Sequence, residues 1–125
     1  MGDTIWVDVE DRGPAELPAD NSIILRLEKQ LAKLSAKLHA PKLADFYAYE
    51  RGWFQKRRWF DPAKGLTAIN ALYDHLDRSP GDLGFEPDAS RRHWPELLMK
   101  ELLECRKALE AAVSKGKKFR FLIVS

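Results

Sequence analysis

Seven of the chain's thirteen aromatic side chains fall within fifteen residues: Phe46, Tyr47, Tyr49, Trp53, Phe54, Trp59 and Phe60. Arg51, Lys56, Arg57 and Arg58 are interleaved with them. Aromatic faces beside guanidinium groups suit two kinds of chemistry. They act as hot spots in protein interfaces, where Trp, Tyr and Arg bury large areas in desolvated pockets. They also stack bases and neutralise phosphates along single-stranded nucleic acid. The first reading is a non-enzymatic protein that binds a protein partner through residues 47–59. Tyr49, Trp53 and Trp59 are its anchors, with Arg51, Arg57 and Arg58 supplying charge. Nucleic acid bound by the same residues is the second reading, and affinity that falls steeply with salt would mark it. The plain alternative places Phe46, Trp59 and Phe60 in the core and leaves the bases in water.

Other chemistry finds less support. His39, His75 and His93 are scattered, and none has a second ligand at i+2, i+3 or i+4 that would suggest a preformed metal site, so none is expected. Asp74 and Asp77 flank His75 as helix-surface acids would. Asp45, Glu50 and Asp61 lie near the aromatic cluster, and a third reading is a small enzyme with Asp45 or Asp61 as general base. Capping already accounts for Asp61. Cys105 sits on an apolar helical stripe, where a free cysteine acts as a small core residue. There is no glycine-rich phosphate loop and no nucleophile elbow, and no cofactor is expected.

The elements that must position these residues are legible from periodicity. Ile5, Val7 and Val9 alternate with Trp6, Asp8 and Glu10, the pattern of a half-buried strand. Asp11 to Pro18 reads as a loop. Asn21 or Ser22 caps a helix whose stripe is Ile24, Leu27, Leu31, Leu34 and Leu38, with Arg26, Lys29, Lys33 and Lys37 facing away and Pro41 ending it. A short helix is expected over 43–49, then an irregular stretch to Phe60. Asp61-Pro62 starts the next helix, with Leu66, Ile69, Leu72, Tyr73 and Leu76 inward. Gly65 costs that helix about 1 kcal/mol relative to alanine, which points to something packed closely against it. After a loop over 80–90, a long helix presents Leu98, Leu102, Cys105, Leu109 and Val113 to the core, with Glu96 and Lys100 spaced as an i,i+4 pair. Gly116 closes it. Phe119–Val124 is an almost wholly apolar strand.

This order predicts an α+β fold. Three main helices and one short one are closed by a small sheet of the N- and C-terminal strands. A two-stranded ribbon is marginal in water, so the terminal strands need each other and a helical backing. A strand as apolar as 119–124 must not remain an open edge. It must lie centrally or pair with a second copy, which would make a homodimer.

The chain has 125 residues, the size of one domain, and buries roughly two thirds of its unfolded surface. With 45% hydrophobic and 32% charged residues it is neither a disordered tail nor a membrane protein. No apolar run approaches the ~18 residues of a membrane span. The acidic start, Met1-Gly2-Asp3-Thr4, does not resemble a signal peptide, and a lone cysteine fits a reducing cytoplasm. The net charge of +2 hides alternating blocks: residues 1–20 and 61–89 are acidic, 26–58 and 91–120 basic. In a compact fold these blocks lie against one another and partly neutralise.

Four segments carry a resemblance: Asp20-Asn21-Ser22-Ile23; Lys42-Leu43-Ala44-Asp45-Phe46-Tyr47; Trp59-Phe60-Asp61-Pro62 with Gly65-Leu66; and Lys118 to Val124. Together they resemble a group of small uncharacterised bacterial proteins over most of the chain. The shared motifs are structural, so the resemblance implies a fold and no particular activity. In size and class the chain is also similar to immunity proteins that neutralise toxins.

Overall fold

The structure, a computed structural model, describes residues 4–10, 13–15, 22–49, 59–83 and 94–124. The elements in chain order are β1 (Thr4–Val9), β2 (Gly13–Ala15), α1 (Ser22–Arg26), α2 (Glu28–Lys37), a 3-10 turn (Leu43–Phe46), β3 (Tyr47–Tyr49), α3 (Pro62–Arg78), a second 3-10 turn (Pro80–Leu83), α4 (Trp94–Lys115) and β4 (Phe119–Val124). The fold is α+β, with helices against one face of a mixed four-stranded sheet of order β2-β1-β4-β3.

The terminal strands do pair, and they run antiparallel, with Ile5 opposite Ile123, Val7 opposite Phe121 and Val9 opposite Phe119. All six of these side chains are buried under the helices. On its other side β4 holds β3 in parallel, and Phe60 closes the row through two hydrogen bonds with Phe119, of 2.8 and 2.9 Å. The apolar strand is therefore central within one chain, and its composition needs no second copy to cover it.

Two expectations along this sheet are corrected. The short helix expected over 43–49 stops at Phe46 and is 3-10 in type. A three-residue strand follows it, because Tyr47–Tyr49 finds the free edge of β4. The loop after β1 also contains a third strand, Gly13–Ala15, on the outer edge, where Pro14 is tolerated.

The helices follow the apolar stripes with two departures. The helix expected from Ser22 to Pro41 is interrupted at Leu27, whose φ of −100° and ψ of 15° leave helical values. Ile23, Ile24, Leu27, Leu31 and Leu34 stay buried across the break. In α4 the core face turns onto Ala112, and Val113 is 43% exposed. Glu96 and Lys100 are both exposed and form no ion pair with each other. The starts and ends behave as their residues dictate. Asp61 accepts from the Ala63 N–H at 2.9 Å, and Pro62 occupies the first turn, where an amide would have no partner.

Both α2 and α4 end in the same left-handed cap. Gly116 has φ 65°, with the Lys117 N–H donating to Ala112 O at 3.0 Å and its own N–H to Val113 O at 3.1 Å. At the end of α2 the corresponding residue is His39, with φ 56°; Ala40 N–H donates to Ser35 O and His39 N–H to Ala36 O. A side chain in that conformation is strained by about 1–2 kcal/mol, which glycine avoids, less the extra entropy glycine loses on folding. His39→Gly is therefore expected to stabilise the protein by about 0.5–1 kcal/mol, read as a higher urea midpoint with unchanged slope. A lower midpoint would mean that the exposed imidazole contributes something beyond the cap.

Candidate functional site

The aromatic-basic segment is split by the fold. Phe46 and Phe60 enter the core as the plain alternative expected, meeting edge to face with ring centroids 5.5 Å apart. Phe46 continues the cluster to Phe119 at 5.5 Å, and Phe119 to Phe121 at 5.1 Å. Tyr47 packs at the margin of this cluster, against Phe121. Tyr49 ends β3, with its backbone paired to Ile123. Arg51, Trp53, Arg57 and Arg58 lie outside the described residues.

Trp59 does not plug the core. Successive strand residues point to opposite faces, and with Phe60 inward Trp59 meets the outer face of the sheet. There the Arg120 guanidinium lies over its ring, 4.5 Å from the centroid. Arg120 Nε also donates to Asp8 Oδ2 at 2.7 Å. Asp8 and Arg120 are direct cross-strand partners on β1 and β4. The alternation placed Asp8 on the solvent side, yet it is only 3% exposed, while the Arg120 side chain is 18% exposed. A buried carboxylate paired with a guanidinium held against tryptophan joins three residues from distant parts of the chain. Only Trp59 among them was singled out by the sequence. The signal for the other two was present in the alternation, which puts Asp8 and Arg120 on the same face once the register is known.

The residues considered for acid–base work serve local structure. Asp61 caps α3 and is exposed, and Asp45 is exposed and accepts from the Lys42 N–H at 3.3 Å. His75 Nε2 lies 2.9 Å from Asp82 Oδ2, with Lys37 Nζ at 3.9 Å from the same oxygen, which ties α2, α3 and the second 3-10 turn together. Among the described residues no group of three His, Cys, Asp or Glu is placed to hold a metal. A surface hollow of about 320 Å³ lies between Val9, Glu10, Ala108, Ala111, Ala112, Lys115 and Lys117, and contains none of the candidate residues.

Cys105 is fully buried on α4. Burial first, and then the nearby Glu101 and Glu104 charges, push its thiol well above the ordinary range. The thiolate is the reactive form, so the folded protein is expected to resist thiol-modifying reagents at mildly alkaline pH and to react promptly in denaturant. Labelling of the native protein at the rate of a free thiol would contradict this. Glu101 itself is 2% exposed and accepts from the Ile24 N–H at 3.0 Å, so a residue 77 positions away satisfies the first turn of α1.

The fold and this pairing define a small α+β protein with its helices on one sheet face and a locked Asp–Arg–Trp constellation on the other. No helix among the described residues is long and apolar enough to cross a membrane. Comparison with protein-family models, curated proteins and solved structures returns no match.

Proposed function

We propose that this chain is a cytoplasmic, non-enzymatic interaction protein whose partner-binding element is the aromatic-basic segment 47–59. One observation carries the reading: the two ends of residues 50–58 are fixed on the same central strand. Tyr49 is paired with Ile123 and Phe60 with Phe119. Four residues apart on a strand, these anchors stand about 13 Å from one another. The ten residues between them include Arg51, Trp53, Phe54, Lys56, Arg57 and Arg58. Fixing both ends of a short connection lowers the entropy lost when it meets a partner. Phe46 and Phe60 satisfy the core, and Asp45 and Asp61 are used as caps. These assignments support a binding role over a catalytic one.

The test is retention of a protein from nuclease-treated cell extract on the tagged full-length chain, at low and high salt. The expected result is a stoichiometric protein that survives both treatments and is lost with Trp53→Ala, whose melting temperature stays near that of the parent. Truncating a central interface tryptophan typically weakens binding by about 2–4 kcal/mol. Recovery of nucleic acid that is released by salt, with no protein dependent on Trp53, would replace this reading with the nucleic-acid one.

A further inference from the structure

We propose that the terminal nitrogens of Arg120 receive a carboxylate from an acidic segment of the protein partner, which makes the outer face of the sheet part of the interface. The inference rests on the protein-binding reading above and names the chemistry that its partner must offer.

A guanidinium has five N–H donors in a rigid fork. Arg120 uses one of them, Nε, on Asp8. Its ring-like plane is covered on one side by Trp59. The edge between its two terminal nitrogens has no acceptor among the described residues. Nor are those nitrogens sealed away: among the described residues the buried side-chain atoms without a partner are Ser35 Oγ and Asn70 Oδ1. That edge matches the two oxygens of a carboxylate, which it binds through parallel hydrogen bonds. A buried carboxylate on Nε and an aromatic ring on one face hold the side chain still before anything binds, the arrangement that precise recognition requires.

The surroundings favour a protein over a nucleic acid. Trp6 and Leu122, half-buried cross-strand partners, form the neighbouring row of the same face, so the fork lies beside apolar side chains. Arg120 is the single cation in β1, β3 and β4, and Asp8 already neutralises it. A nucleic-acid backbone needs a series of uncompensated cations. One carboxylate flanked by apolar contact needs one oriented fork. Because the Asp8–Arg120 pair is neutral overall, binding here depends on geometry more than on net attraction, so added salt weakens it only modestly.

The experiment follows the Arg120 Nε–Hε and Trp59 indole N–H signals in 15N–1H spectra of the full chain during titration with acetyl-hexaglutamate amide. Both signals are expected to move together and to saturate. Arg120→Lys keeps a cation beside Asp8 but has no second donor edge, and it should weaken the peptide about tenfold. Lys33→Met, on the exposed face of α2, removes one positive charge away from the fork and should change affinity by less than about twofold. Shifts that rise without saturating, equal losses in the two variants, or tighter saturation of the same signals by an oligothymidylate would each overturn the proposal. The signals of the unsubstituted chain decide the matter even if Arg120→Lys folds poorly. A captured partner that needs Trp53 but ignores Arg120→Lys sinks this inference alone. Saturable peptide binding with no Trp53-dependent partner sinks the broader reading instead.

Discussion

Gly65→Ala is expected to destabilise the protein by about 2 kcal/mol, although the same change in an ordinary helix interior stabilises by about 1 kcal/mol. The reversal comes from Phe119. A methyl group on Gly65 would stand 2.6 Å from Phe119 Cε1 and closer still to Cζ. The ring cannot retreat, because it is fully buried and lies against Phe46, Phe60 and Phe121. Its backbone is held as well, through the paired hydrogen bonds to Phe60 and the ladder to Val9. Either the helix moves off the sheet or the aromatic cluster repacks, and such overpacking costs about 1–3 kcal/mol. Gly65→Val should cost more.

The check is chemical denaturation of Gly65→Ala, Phe119→Leu and the double variant. Leucine shortens the side chain at the point of contact, so the double variant should lose less than the two single losses added together. A coupling of about 0.5–3 kcal/mol is the range for residues in direct contact. If Gly65→Ala raises stability by the amount that helix propensity predicts, the helix and strand do not approach as described.

That glycine shows what local sequence reveals. Its cost in the middle of a strong helical stripe was visible, and so was the need for a close neighbour; the identity of Phe119, 54 positions away, was not. The same division runs through the fold. The pairing of the terminal strands was legible because neither could be stable without the other, and Asp61-Pro62 and Gly116 marked helix ends by chemistry confined to a few residues. β3 was missed because three residues are too few to show a period, and its pairing depends on an edge of β4 that is far away in the chain. The break at Leu27 left no trace in the apolar stripe, since the residues on both sides of it remain buried. Val113 and Ala112 exchanged roles because a small rotation late in a long helix moves the core face by one residue.

The candidate site was legible in the same partial way. Clustering singled out Trp59, and its neighbour in the sequence, Phe60, turned out to be the core residue. Asp8 looked like an ordinary solvent-side position in an alternating strand, and Arg120 was the lone charge in an almost wholly apolar one. Their partnership exists only in the antiparallel register, 112 residues apart in sequence. A charge that is buried by its own cross-strand partner cannot be read from either strand alone.

Replacing Arg120 while keeping Asp8 should be among the most costly changes on the sheet. Arg120→Met leaves a 3% exposed carboxylate without its cation, and breaking a buried pair in this way costs about 3–5 kcal/mol. It also removes the contact with Trp59, worth about 0.5–2 kcal/mol in partly desolvated surroundings. Asp8→Val should cost less, because Arg120 is 18% exposed and retains both water and the tryptophan face. Replacing both residues removes the unpaired charge altogether. Asp8→Val with Arg120→Met should therefore be more stable than Arg120→Met alone, since apolar replacement of a whole buried pair is commonly neutral or favourable. Denaturant midpoints of the three variants test this order. A double variant no better than Arg120→Met would mean that the pair contributes more than mutual neutralisation. If the double variant folds as expected, its behaviour toward the glutamate peptide separates structure from function: a well-folded sheet without the fork should no longer bind. In that outcome the fork, and not stability, distinguishes the charged pair from two apolar side chains, since stability alone would be served as well by the latter.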